Sequence, residues 1–264
     1  MGNASAVRQH RRTLRRTAHH IGPADLWDVL KRGLDDFLEK PTHVVFLVVI
    51  YPILGLFLGR MIFGYGLLQF LYPVVAGFAL VGPFASVGLY EVSRRREQGL
   101  NTRWTDVVDK LRHKSARPVL ALGGVLVALF FAWLGAAQWI YWLTFGDAAP
   151  ASLSSFLGEV FTTERGWRLL ILGNAVGVIF AIVVLAISVV SFPMLVDRDV
   201  SALTAVQTSV AVCLDNPLTM LLWGLIVAVC LALGSLPFFV GLAVVLPVLG
   251  HATWHLYRKL VPPN

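Results

Sequence analysis

Six runs of apolar residues, each near the length that a helix needs to cross a bilayer, limit the folds open to this chain. Spanning the hydrocarbon core takes about 20 helical residues. The runs cover residues 42–59, 66–91, 118–145, 169–196, 217–236 and 237–255. Only Gly234-Ser235-Leu236-Pro237 separates the fifth from the sixth. Their combined length exceeds one crossing, so they are counted as two spans, with a single kinked helix as the alternative. Composition agrees: 57% of residues are apolar and 14% charged, where a soluble domain carries about 25% charged residues. The expected fold class is all-α, a polytopic membrane helical bundle of about six transmembrane helices.

Orientation follows from the cations. Of 22 Lys and Arg, all but Arg60, Arg165 and Arg168 fall on one side of the runs. The positive-inside rule makes that side cytoplasmic and puts both termini there. Basic residues that fix orientation need no nucleic-acid partner, and none is expected. Residues 1–23 carry Arg8, Arg11, Arg12, Arg15 and Arg16 without an apolar core behind them. They read as a basic, disordered cytoplasmic arm near anionic lipid rather than a secretory signal. Residues 24–264 form a single membrane domain. Cys213 and Cys230 stand far apart in apolar or interfacial sequence and read as small buried residues.

Three amphipathic segments precede runs one, three and five. Leu26, Trp27, Leu30, Leu34, Phe37 and Leu38 recur at helical spacing opposite Asp28, Lys31, Arg32, Asp35 and Glu39. Trp104, Val107, Val108 and Leu111 do the same, as do Leu203, Val206, Val210, Cys213 and Leu214, with Ser201 as a cap. Such helices lie in the cytoplasmic interface. Each is followed by a proline that opens the next span: Pro41, Pro118 and Pro217, residues suited to a first helical turn. A second proline (Pro83, Pro193 and Pro247) lies toward the cytoplasmic half of each inward span. The expectation is a threefold parallel repeat over about 24–97, 98–199 and 200–260, with any pseudo-symmetry axis along the membrane normal.

Little in the chain suggests chemistry. No phosphate-binding Gly-rich loop, nucleophile elbow, His-Glu-x-x-His or paired-Cys motif occurs, and no enzymatic activity is expected. The prolines each free a helical carbonyl, so Pro83, Pro193 and Pro247, together with Asn174, are candidates for lining a central cavity. Gln138 is the other notable polar residue within a span. His251 and His255 stand at i, i+4 on one helix face, the spacing of a shared metal or a haem ligand. No Cys or acidic residue accompanies them locally, and structural hydrogen bonding is the alternative. Glu91 and Asp197 are expected to pair with Arg94 and Arg198. Phe156, Leu157, Val160 and Phe161 mark a short helix on the outer face.

Three phrases carry a resemblance: Gly82-Pro83 through Gly88-Leu89-Tyr90-Glu91-Val92-Ser93-Arg94-Arg95, then SVVSFPMLVDRD at 188–199, then LGHATWHLYR at 249–258. In that order they resemble a family of bacterial predicted inner-membrane proteins that bears only a domain-of-unknown-function label. The resemblance implies a bacterial inner membrane and supplies no activity, cofactor or catalytic residue. The expected function is a non-enzymatic scaffold or accessory protein that binds lipid, a small molecule or another membrane protein, as a homo-oligomer or with a different partner. The alternatives are facilitative transport through the proline-lined cavity and a haem- or metal-binding redox accessory built on His251 and His255.

Overall fold

A computed structural model of the chain describes residues 20–39, 55–56, 59–60, 67–100, 116–147, 150–236 and 240–261. Most of run one, the amphipathic segment around Trp104, the basic arm and Pro41 lie outside these residues. Every regular element among the described residues is helical: α1 (Pro23–Glu39), α2 (Leu71–Ala85), α3 (Val87–Glu97), α4 (Ala116–Phe145), α5 (Leu153–Thr162), α6 (Glu164–Ser188), α7 (Ser191–Asp197), α8 (Ala202–Asp215), α9 (Pro217–Ser235) and α10 (Leu242–Leu260). A 3-10 turn, Leu68–Phe70, leads into α2.

Four stretches among the described residues are long and apolar enough to cross a membrane: Leu68–Glu97, Ala116–Phe145, Glu164–Asp197 and Pro217–Ser235. The first and third each comprise two helices joined at a break. At 34 residues and 1.5 Å per residue, the third is about 50 Å long, well beyond a ~30 Å hydrocarbon core. Its charged end therefore projects past the apolar layer.

Runs five and six are two helices, not one kinked rod. The start of α9 meets Ile21, where Thr219 Oγ1 donates to Ile21 O at 2.9 Å. The end of α10 meets Asp25 through Lys259 at 2.8 Å. Both outer ends thus lie beside the start of α1, so α9 and α10 fold back antiparallel. Glycines permit the tight return: a Cβ on Gly241 would stand 2.7 Å from Gly234 O. Asn216 precedes α9 and Pro217 fills its first turn, as expected from sequence.

Both helix breaks satisfy their backbone locally, as lipid demands. Pro193 lacks an N–H, and the helix yields at Val189–Val190. The buried Val190 N–H donates to Ser209 Oγ of α8 at 3.2 Å, while Ser191 Oγ donates to Ile187 O at 2.6 Å. At the other break, Ser86 Oγ donates to Gly82 O at 3.0 Å.

The amphipathic helices pack differently from the sequence reading. In α1 the buried positions are Leu26, Val29, Gly33 and Asp36, whereas Trp27 is 73% and Leu38 61% exposed. In α8 the buried positions are Ala205, Thr208, Ser209 and Val212, with Leu203 and Leu214 outward. Small residues let helices approach closely; large apolar ones are as comfortable in lipid as against protein. Ser201 does cap α8, accepting from Thr204 N at 3.1 Å. α5 forms where expected, with Val160 buried. Its Phe156 meets Tyr141 and Phe145, and Arg165 lies 4.8 Å over the Phe145 ring.

Candidate functional site

The three phrases that rhyme in the sequence meet in space. Helices α3, α7 and α10 carry them, and each packs on the other two. Phe192 is fully buried between them with its ring 6.2 Å from Phe84. Gly250 brings α10 close to the first break: a Cβ there would stand 2.6 Å from Leu89 Cδ1 and 3.4 Å from Ser86 Cβ. Trp254, Leu256 and Tyr257 fill the rest of this core.

At the charged end of the trio, side chains from α1, α3, α7 and α10 form a continuous ionic junction. Glu91, 2% exposed, accepts from Nε and Nη2 of Arg94 at 2.7 Å and from Arg95 Nε at 2.8 Å. Asp197 receives the Tyr257 hydroxyl at 2.7 Å and Arg258 Nη1 at 3.2 Å, with Arg198 at 3.5 Å. The expected pairs Glu91–Arg94 and Asp197–Arg198 are therefore present, although Asp197 serves chiefly to tie α7 to α10. Arg258 Nε binds Glu97 at 2.8 Å, and its guanidinium lies 5.3 Å over Trp254. Lys259 reaches Asp25 at 2.8 Å and Asp28 at 3.0 Å. These two carboxyls sit below their ordinary value because Lys259 donates to them.

Asp36 is the centre of the junction and the residue that sequence reasoning missed. It is 5% exposed although its neighbours on α1, Asp35 and Phe37, are not buried. Its carboxylate receives Ser93 Oγ, Arg96 Nη1 and His255 Nε2, the last at 3.0 Å, and His251 Nδ1 lies 3.8 Å away. Burial alone would raise its pKa. Hydrogen bonds from His255 and Ser93, then the two imidazoles' charge, outweigh that and hold it at about 2. Arg96 also binds Glu39.

The hydrogen-bond logic assigns a tautomer to His251. Ser93 spends its only proton on Asp36, and Ser93 Oγ lies 2.7 Å from His251 Nδ1. Nδ1 therefore carries the hydrogen that donates to Ser93. The histidine pair does share one helix face, and the acidic partner absent from its own sequence neighbourhood comes from α1, 219 residues away from His255. Among the described residues no three His, Cys, Asp or Glu side chains stand where they could hold a metal ion.

The cavity candidates differ in burial. Pro193 and Pro247 are buried and Pro83 half-buried, but Asn174 is exposed on the outside of α6. There it receives Tyr72 Oη at 2.8 Å and donates to Leu170 O at 2.8 Å. An amide placed mid-span need not face inward when a neighbouring phenol and its own helix satisfy it. Gln138 is likewise exposed. Cys213 and Cys230 are half-buried free thiols.

Residues 71–197 match the model of a family described as predicted integral membrane protein (DUF2189), a family of unknown function. The match takes in the first phrase and all but the last two residues of the second; the LGHATWHLYR phrase lies beyond it. No curated protein and no solved structure matches the chain.

Proposed function

We propose that this integral membrane protein is a non-enzymatic scaffold or accessory protein of a bacterial inner membrane, with its ionic junction on the cytoplasmic side. The observation that carries the reading is where its polar chemistry goes. Each carboxylate of the junction faces a Lys or Arg, and the junction joins four helices instead of lining a cavity. Buried ion networks that tie several helices together favour one arrangement of those helices. The outward faces of α1 and α8 offer Trp27, Leu38, Leu203 and Leu214 to lipid or to another membrane protein at the same level. The expected fluxless, colourless behaviour is checked on purified protein. Proteoliposomes are assayed for ion and small-solute flux, and detergent-solubilised protein for visible absorption and metal content. Protein-dependent flux would move the function to transport. A Soret band or stoichiometric metal lost in His251→Ala/His255→Ala would move it to a cofactor protein.

A further inference from the structure

The junction holds a group of charges that does not balance without protons. Asp36 of α1 is faced by Ser93 and Arg96 of α3 and by His251 and His255 of α10. Arg96 is shared with Glu39 of α1. On the same side of α10, Glu97 of α3 is occupied by Arg258 and the Trp254 indole. Among the described residues, two carboxylates, Asp36 and Glu39, therefore share one guanidinium. With both imidazoles neutral this group is left with one negative charge, and one bound proton cancels it. His255, whose side chain is 16% exposed, is the route by which a proton from water reaches the cluster.

α1 joins the bundle chiefly through α10, and also through α9 and the Asp36 contacts to α3. Its buried apolar side chains are Leu26 and Val29, with Leu30 packed beside them; the other two buried positions are Gly33 and Asp36. We propose that α1 is a proton-responsive latch, closed on α3 and α10 while the His251–His255 pair holds a proton and loosened when that proton is lost. Histidine clusters that bias a two-state interface are an established kind of switch. This one has a carboxylate pinned between two imidazoles that both belong to the opposing helix. The inference goes beyond the scaffold reading and is measured without reference to flux or to any partner.

The test is a distance measurement on the full chain in lipid nanodiscs. Cys213 and Cys230 are replaced by Ser, and spin labels are placed at the exposed Lys31 of α1 and Gln98 after α3. Double electron–electron resonance then reads their separation from about pH 5 to about pH 8, the range over which histidine as a class changes charge. A single narrow distance is expected at the acid end. A longer, broader population should grow toward the alkaline end, with the open-to-closed ratio rising about tenfold, within the usual range of coupling between two states. In His251→Gln/His255→Gln the ratio should be flat with pH, and in Asp36→Asn the open population should be present throughout. If the double variant does not fold, His255→Gln alone makes the comparison. Unchanged distances across the range in the parent protein, or an equal pH response without the imidazoles, would overturn the latch.

Discussion

Gly33 is the position at which the packing of α1 is most open to test. A Cβ at Gly33 would lie 2.6 Å from Ala252 N, 2.7 Å from Ala252 Cβ and 2.7 Å from Val248 O. Two of these three atoms are backbone and cannot swing aside, so Gly33→Ala must push α1 from α10. Restoring carbon contacts of about 3.5–4.0 Å requires a separation of about 1 Å. The His255–Asp36 contact, now 3.0 Å, would then exceed hydrogen-bond range. Overpacking costs about 1–3 kcal/mol, and a weakened charged hydrogen bond adds about 1.5 kcal/mol or more. A total near 3 kcal/mol would change the docked-to-undocked ratio by about 10². Thermal unfolding in detergent should fall by roughly 5–10 °C. A Leu26→Cys reporter, buried in the parent, should become reactive to a polar maleimide. Gly173→Ala is the control: nothing lies within 4 Å of its added Cβ, and replacing an open helical glycine should gain up to about 1 kcal/mol. If Gly33→Ala and Gly173→Ala behaved alike, α1 would not be in backbone contact with α10 and the described junction would be wrong.

Other expectations follow from the same geometry. The Asp36 carboxyl titrates at about 2 in the fold against an ordinary 3.8, so the folded state favours its ionised form by about 2 kcal/mol. Because the folded value is the lower one, that stability is fully present above about pH 4 and declines as pH falls toward 2. Denaturant titrations at pH 7 and pH 3 should show the difference, and Asp36→Asn should reduce it by the Asp36 share, leaving what Asp25 and Asp28 contribute. Ser209→Ala should cost about 1–3 kcal/mol by stranding the Val190 N–H in a buried site, whereas Ser209→Thr keeps the acceptor oxygen; chemical unfolding of both variants decides whether the hydroxyl matters. For topology, Cys at Ser201 should react with a membrane-impermeant maleimide only after the cytoplasmic side is opened, and Cys at Ser152 should react in intact cells. Periplasmic labelling at Ser201 would invert the orientation and remove the basis for a cytoplasmic junction.

Much of the fold was legible because a bilayer admits few solutions. Apolar runs of helix length had to become helices, and Pro217 behind Asn216, Ser201 ahead of Ala202 and the Phe156–Phe161 pattern marked their ends by local chemistry. The faces of α1 and α8 were not legible in the same way. Hydrophobic periodicity picks out Trp27, Leu38, Leu203 and Leu214, but in a membrane the large apolar side chains lose nothing by facing lipid. Gly33, Ala205 and Ser209 decide the contacts instead, because backbone proximity and dispersion, not water exclusion, hold spans together.

The sequence alone determined that this is a helical membrane protein and where most of its described helices begin and end, because these depend on local composition and on the bilayer as solvent. Tertiary structure alone decided that Asp36, on a helix read as amphipathic and interfacial, is buried against Ser93, Arg96, His251 and His255. It also placed Asn174 outside the bundle instead of within it. Those outcomes depend on which helix lies beside which, and no periodicity within a single helix encodes a partner about 200 residues away.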